Sequence, residues 1–288
     1  MNKPISPHSN ARLGSGMMAI AMLSIPMVDG LAKYLSADFS PLFISWARYA
    51  IASCIIVPIA LARFGRTILP SSQLSAHFFR TLCLVTAMTL YFLALSQIPM
   101  ATATSAFFIS PIMATALAVL IAKEKFTVVK SISLVLGLCG MLLIAKPGMS
   151  FEPGILLAVA AGVAFAVYLV ATRLASQNTD PIKTLTFQCL VGSLLLLPQA
   201  LWTWKLPTPE YYVFFAILGV ISVSSHLLSI TAFRYAQTSV LAPLVYLELV
   251  GAVVIGYFVF EDVPSLLIMA GAALIIIGGL LVTVYSND

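Results

Sequence analysis

Charged residues are scarce in this sequence: they make up 9% of its 288 residues, against 61% hydrophobic residues. Soluble domains carry about 25% charged residues, because groups that water solvates must cover their surface. The mean hydropathy of +1.05 agrees with this deficit. The composition excludes a soluble enzyme, a disordered chain and a nucleic-acid-binding protein, and it indicates a protein that lies in a lipid bilayer.

Sequence signatures of catalysis and metal binding are also lacking. The chain has no phosphate-binding loop ending in Gly-Lys-Ser/Thr, no His-Glu-x-x-His and no Gly-x-Ser-x-Gly, which argues against ATP hydrolysis by that route and against the common hydrolases. We therefore expect neither an enzyme nor a cofactor. The four cysteines have no metal-ligand spacing and no disulfide framework, and we interpret them as packing residues: Cys54, Cys83, Cys139 and Cys189.

Long apolar runs dominate what is present. A membrane-spanning helix needs roughly 20 mostly apolar residues to cross about 30 Å of hydrocarbon, and ten such runs are separated by short gaps that contain proline. The sequence predicts an all-α polytopic membrane protein with ten transmembrane helices. The predicted spans are Leu13–Leu35, Pro41–Ala62, Leu74–Leu95, Met100–Ala122, Thr127–Ala145, Pro153–Ala175, Pro181–Leu201, Glu210–Ala232, Ser239–Phe260 and Pro264–Tyr285.

Lysine and arginine are distributed unevenly between the two sides of these spans. With the N-terminus placed inside, the inner segments hold 11 of them and the outer segments hold three, while Arg48 lies within a span. An excess of lysine and arginine marks the cytoplasmic side. We therefore predict a multi-pass membrane protein with both termini in the cytoplasm.

The sequence also resembles itself when it is shifted by 138 residues. Each copy holds five spans, and because five is odd, the second copy enters the membrane from the opposite side. We predict two inverted repeats, residues 1–148 and 149–288, around a central cavity with a substrate site near the midplane. The matching pairs are Gly16 with Gly154, Ala94 with Ala232, Glu124 with Asp262 and Gly140 with Gly278.

Two segments carry a resemblance to a known family. The first runs from Pro111 to Glu124 and the second from Pro243 to Asp262, and glycines follow both. Each resembles the end of an EamA repeat, so the chain resembles the drug/metabolite transporter superfamily with two EamA repeats. Within it the chain is most similar to the YddG-type exporters of aromatic and other amino acids. The resemblance implies a ten-helix basket around a central cavity that exports small metabolites from a bacterial inner membrane.

The chain departs from the family pattern at one point in each repeat. A Gly-Glu pair is typical of the end of the fourth helix of a repeat, whereas this chain has Lys123-Glu124 and Glu261-Asp262.

Three charged side chains stand out because they lie well inside predicted spans, away from the span ends: Asp29, Arg48 and Glu248. A charge at the centre of a span costs roughly 2.5–3.5 kcal/mol on insertion scales. Asp29 and Arg48 lie at similar depths, and we expect them to pair. The pair is either a structural pin or a match for the amino and carboxyl groups of a zwitterion. Glu248 is a candidate for proton coupling or amine binding, with a carboxyl held by a neighbouring hydroxyl as the alternative.

The eighth span carries a polar stripe at helical spacing, formed by Ser222, Ser225, His226 and Ser229. Polar faces in lipid turn towards protein or water. We count Ser225 and His226 among the candidate substrate-binding residues. The alternatives are a histidine satisfied by packing and serines that only permit close helix contact.

Aromatic residues form the last candidate set, because rings can stack on the side chain of a bound amino acid. We expect about half of the named rings to line a cavity, since most aromatic residues pack against protein or lipid. The candidates for substrate binding are Tyr91, Phe108, Tyr168 and Tyr246, with Phe107 and Phe165 beside them. Glycines at 137, 140, 271 and 278 predict close packing of the fifth and tenth spans, within one chain or between two.

These features favour a transporter that exports amino acids or similar small metabolites by alternating access, either facilitatively or driven by an ion gradient. The alternative is an efflux carrier for lipophilic cations. A lone carboxylate among aromatic rings would favour cations, whereas an Asp–Arg arrangement would favour zwitterions. The expected partners are a small-molecule substrate, the lipid bilayer, protons and a second copy of the chain in a homodimer; we expect no nucleic acid.

Overall fold

The computed structural model describes residues 11–121, 127–145, 152–175, 179–235 and 242–285. In these ranges ten helical segments follow one another as predicted, and two of the ten are broken. The helices are α1 (Ala11–Leu35), α2 (Pro41–Phe64), α3 (Leu74–Leu95), α4 (Met100–Phe107), α5 (Ser110–Ile121), α6 (Val128–Ala145), α7 (Pro153–Ala175), α8 (Pro181–Trp202), α9 (Pro209–Tyr235), the 3₁₀ helix η1 (Ala242–Tyr246), α10 (Leu247–Phe260) and α11 (Leu266–Tyr285).

Helix length and composition suit a membrane. Six helices are each long and apolar enough to cross it, namely α1, α2, α3, α7, α8 and α9, and the remaining segments include shorter apolar helices. The prediction of an all-α polytopic membrane protein is confirmed. The predicted boundary between residues 148 and 149, and the pair Lys123-Glu124, lie outside the described residues.

The two ends of the bundle can be told apart by contacts between loops. At one end, called the Phe39 end, Lys33 contacts Ile98 and Asp262, and Lys205 contacts Asp38. These contacts bring together the α1–α2 link, the α3–α4 link and the residues that follow α8 and α10. The His77 end holds the start of α3 and the residues before α8, where His77 contacts Thr179.

Matching caps begin the second helix of each half. The Ser40 hydroxyl accepts a hydrogen bond from the Leu42 N–H (3.3 Å), and the Asp180 carboxylate accepts one from the Ile182 N–H (2.9 Å). In both helices proline occupies the first turn, where its missing N–H costs nothing. The same local chemistry therefore starts α2 and α8.

Helices of the two halves interleave. α1 packs along α9, α3 along α7, α2 along α8 and α6 along α11. Glycine permits the last of these contacts, since a Cβ on Gly140 would lie 2.6 Å from the carbonyl oxygen of Gly271. The predicted packing of the fifth and tenth spans is thus confirmed within one chain, although Gly137 faces Ile112 instead.

The fourth and ninth spans are both broken, at equivalent positions. The fourth is divided between α4 and α5, and the ninth between η1 and α10. A shift of 138 residues places Phe108, at the first break, on Tyr246, at the second, and their ring centroids are 5.4 Å apart. Pro111 has no N–H for the Phe107 carbonyl, and Gly162 of α7 lies against that oxygen, where a Cβ would come within 2.7 Å.

The Phe39 end is closed by an ion pair and by stacked rings. Lys33 Nζ donates to Asp262 Oδ2 (2.9 Å) and to the Ile98 carbonyl (3.0 Å), and Asp262 Oδ2 also accepts from the Met100 N–H. The preceding residue, Glu261, ends α10 with φ of 56°, in the left-handed region that favours glycine. The packed rings are Phe39, Phe43, Trp46, Trp204, Tyr211 and Phe215.

Candidate functional site

Arg48 lies at the centre of a polar cluster between α2, α8 and α9. Its Nε donates to Ser222 Oγ (2.8 Å), and its Nη2 lies 3.0 Å from His226 Nε2. The guanidinium also lies over the Phe92 ring, 5.6 Å from the centroid. The side chain is 5% exposed, so two charge-assisted hydrogen bonds and a ring face replace its water.

A small pocket adjoins this cluster. Arg48, Ser222 and His226 line it together with Gln188 and Cys189 of α8. Gln188 is the repeat counterpart of Arg48 in the alignment that places Ser40-Pro41 on Asp180-Pro181. The two halves therefore contribute equivalent positions to one polar pocket.

The predicted ion pair between Asp29 and Arg48 is not formed. Within the described ranges no carboxylate oxygen of Asp29 lies within 4.0 Å of an Arg48 nitrogen, and the guanidinium bonds to α9 instead. The reason is helix packing, because α2 packs mainly on α8 and α9 and touches α1 little. The Arg48 charge still acts on Asp29 at longer range.

Asp29 is buried (3% exposed) beside α3 and α4. The Tyr91 hydroxyl donates to Asp29 Oδ2 at 3.4 Å and lies 2.8 Å from Thr104 Oγ1. This tyrosine therefore links the carboxyl of the first helix to the break in the fourth span.

Glu248 lies in the first turn of α10 and is 8% exposed. Among the residues that the structure describes it makes no hydrogen bond, so the predicted alternative of a carboxyl held by a hydroxyl is wrong for this conformation. Asp29 and Arg48 both act on it electrostatically. Two carboxyls and one guanidinium thus share the interior of the bundle.

The candidate aromatic residues form one continuous chain of ring contacts. Tyr91 packs on Phe107 (4.9 Å between centroids), Phe107 on Phe165 (5.1 Å) and Phe165 on Tyr168 (5.3 Å). Phe107 also contacts Phe108, which packs on Tyr246. The rings therefore connect the Tyr91–Asp29 contact to Tyr168 of α7 through successive contacts.

The polar stripe of α9 divides into different roles. Ser222 and His226 bind Arg48, whereas the Ser225 hydroxyl donates to the Ile221 carbonyl one turn earlier (2.7 Å). Ser229 contacts the sulfur of Met18. The hydroxyl of Ser225, a candidate from the sequence, thus bonds to the backbone of its own helix. Ser222 is the serine that contacts Arg48.

Two polar groups in this region escaped sequence reasoning. Arg80 lies near the inner end of the predicted span Leu74–Leu95, where a cytoplasmic charge is expected, yet it is buried. Thr104 is a small hydroxyl in an apolar helix, and only the fold shows that it touches Tyr91. The described part of the chain contains no group of three or more metal-ligating side chains.

Comparisons with known proteins agree with this architecture. The sequence profile of the EamA-like transporter family matches residues 12–146 and 152–284. The S-adenosylmethionine uptake transporter of Rickettsia bellii is 27% identical over 277 residues, which cover 96% of this chain and 94% of that protein. The riboflavin transporter of Vibrio cholerae is 26% identical over 275 residues, which cover 94% and 92%.

A solved crystal structure has the same fold, with a TM-score of 0.66 at 18% identity over 96% of this chain and 97% of its own. The named relatives support the family rather than the narrower resemblance to YddG-type exporters, because their names specify S-adenosylmethionine and riboflavin. The two family matches together cover nearly the whole sequence. The chain therefore belongs to the EamA-like transporter family and is a multi-pass membrane transporter.

Proposed function

We propose that this protein transports a small metabolite that carries an amino-acid head group and an additional positive charge, and that S-adenosylmethionine is the first such compound to test. The observation that carries the proposal is that two carboxyls, Asp29 and Glu248, are buried in the same bundle as one guanidinium, Arg48. S-adenosylmethionine has one carboxylate, one ammonium and one sulfonium group. Its charges are complementary to two acids and one base.

The aromatic chain supports the same class of substrate. An adenine ring binds well against the face of an aromatic side chain. Aromatic rings of both halves are in contact here, since Phe107 of the first half packs on Phe165 of the second. The relatives of known name add to this, since S-adenosylmethionine and riboflavin both carry a planar heterocycle.

Export of free amino acids, as the sequence predicts, is the second candidate. Arg48 with either acid would suit a zwitterion, and the rings would suit an aromatic side chain. The lipophilic-cation alternative is disfavoured, because such a substrate has no anionic group to place against the buried Arg48 charge.

Alternating access fits the inverted repeats and the two matching breaks. The Phe39 end is closed by the Lys33–Asp262 pair, and opening it would require that pair to separate. Glu248 is our candidate for coupling to protons; without such coupling the transport would be facilitative. A homodimer through α6 and α11 is not part of this proposal, because those helices cover each other within one chain.

We further propose that the His77 end faces the cytoplasm of a bacterial inner membrane, as the lysine and arginine distribution predicts. Single cysteines at the exposed positions Arg66 and Lys205 would report the orientation. An impermeant maleimide added to intact cells should label Lys205→Cys and spare Arg66→Cys. The reverse pattern would contradict the proposed orientation.

Uptake into proteoliposomes tests the substrate. Labelled S-adenosylmethionine should enter vesicles that hold the purified protein, and unlabelled S-adenosylmethionine should compete better than riboflavin, tryptophan or tetraphenylphosphonium. Competition by tryptophan alone would favour amino-acid transport, and competition by tetraphenylphosphonium alone would favour cation efflux. A run with and without a pH gradient separates facilitated from proton-coupled transport.

A further inference from the structure

Arg80 carries a buried guanidinium, and two of its nitrogens are unpaired in the described part of the chain. It lies in the second turn of α3, is 3% exposed, and lies over the Tyr168 ring of α7, 5.6 Å from the centroid. Among the residues that the structure describes, its buried Nε and Nη2 atoms have no hydrogen-bond partner. These two nitrogens are the ones that form the side-on fork by which arginine holds a carboxylate.

Arg80 differs from Arg48 in the hydrogen bonds of its guanidinium. Both side chains are buried to a similar degree and both lie over an aromatic ring. In Arg48 the same two nitrogens, Nε and Nη2, contact Ser222 and His226. Arginine stays charged inside proteins, and a buried charge is costly unless it is paired. An anionic ligand would supply the pair.

The surroundings of Arg80 are also suited to an anion. His77, one turn earlier on α3, is buried, and its Nε2 lies 3.5 Å from Thr179 Oγ1. Its Nδ1 has no hydrogen-bond partner within the described ranges. The Arg80 charge acts on the imidazoles of His77 and His226. The nearby Asp180 carboxylate caps α8.

Within the described residues, the two buried carboxyls, Asp29 and Glu248, are influenced by the charge of Arg48 and not by that of Arg80. Arg80 is eleven residues before Tyr91 on α3, about 16 Å along the helix axis. Arg80 is therefore much closer to the His77 end than the Tyr91–Asp29 contact is.

We propose that Arg80, with His77 beside it, forms a second substrate subsite near the His77 end, which binds the carboxylate of the substrate as it enters or leaves the cavity. The inference rests on the proposed function, in that the carboxylate belongs to an amino-acid head group. Arg80 would hold both carboxylate oxygens through Nε and Nη2, and the Tyr168 ring would keep the guanidinium plane in place.

The first test is the stability of purified protein without substrate. Arg80→Met keeps the length of the side chain and removes the uncompensated charge, so its Tm should equal or exceed that of the wild type. Acetate or inorganic phosphate should raise the Tm of the wild type and leave that of Arg80→Met unchanged. Arg66→Met, which alters an exposed arginine at the same end, is the matched control and should respond to anions like the wild type.

The second test compares two ligands that differ only in the carboxylate: S-adenosylmethionine and decarboxylated S-adenosylmethionine. Wild type should bind the first more tightly, and Arg80→Met should lose about tenfold of that discrimination, as expected for one hydrogen-bonded charge pair. Arg80→Lys keeps the charge without the fork and should recover only part of it.

The outcomes separate this inference from the proposed function. A lower Tm for Arg80→Met would show that Arg80 is structural, and unchanged discrimination in a folded Arg80→Met would show that it does not meet the carboxylate; either result overturns the inference. If the wild type binds neither adenosyl compound, the proposed substrate is wrong, and the anion-dependent Tm alone decides whether Arg80 binds an anion.

Discussion

Replacing Arg48 by glutamine should destabilise the protein through the loss of its contacts with α9. The variant loses two hydrogen bonds from a charged donor, each worth about 1.5–3 kcal/mol, and leaves the Ser222 hydroxyl and the His226 ring without their partner. Relief of the desolvated charge offsets part of this loss. We expect a net decrease of about 3 kcal/mol in the free energy of unfolding.

The buried thiol of Cys189 offers an assay for this change, because it lines the same pocket. In a background without the other three cysteines, maleimide labelling of Cys189 in detergent would follow unfolding as SDS is increased. Lys183→Gln on the same helix is a control outside the cluster, and it should leave the midpoint nearly unchanged.

A double-mutant cycle identifies the partner of Arg48. Ser222→Ala should show a coupling with Arg48→Gln of about 1.5–3 kcal/mol, because the two side chains are in direct contact. Asp29→Asn should show a smaller coupling and should not restore stability. Rescue of Arg48→Gln by Asp29→Asn would refute the reasoning, since it would show that the two charges form a structural pin.

Three further predictions concern the frame of the site. Gly140→Ala should lower the free energy of unfolding by about 1–3 kcal/mol, because the added methyl group pushes α6 away from α11. Gly16 has open space around it, so Gly16→Ala should leave stability unchanged or raise it. Thermal melting of both variants checks this. Glu261→Gly should raise the free energy of unfolding by about 1 kcal/mol, because it relieves a left-handed residue; a decrease would show that the Glu261 side chain stabilises the turn. Lys33→Gln and Asp262→Asn should be coupled by about 1 kcal/mol in a double-mutant cycle, as for a partly exposed ion pair, and additive effects would contradict a closing role.

Sequence reasoning located the spans because their hydrophobic length is a local property. The helix caps at Ser40 and Asp180 are likewise short-range, and both are formed. The partner of Arg48 could not be predicted in this way, because a short loop between α1 and α2 suggests adjacent helices, while tertiary packing places α2 against α8 and α9. Which face of a helix meets which neighbour is a property of the whole bundle.

Arg80 illustrates a second limit. It lies within the predicted span Leu74–Leu95, but its position near the span end makes it look like one of the cytoplasmic charges, such as the exposed Arg66. Only the approach of α7, which brings Tyr168 over the guanidinium, shows that this arginine is inside the bundle. The aromatic candidates contact one another, and their part in substrate binding stays a prediction.

The central claim is that the buried carboxyls bind the cationic groups of the substrate. The most direct measurement is uptake of labelled S-adenosylmethionine by proteoliposomes that hold Asp29→Asn or Glu248→Gln, with the exposed Glu152→Gln as the control. We predict that each buried variant, at a Tm close to that of the wild type, loses at least about tenfold in uptake, while Glu152→Gln transports normally. Wild-type uptake in both buried variants would contradict the account.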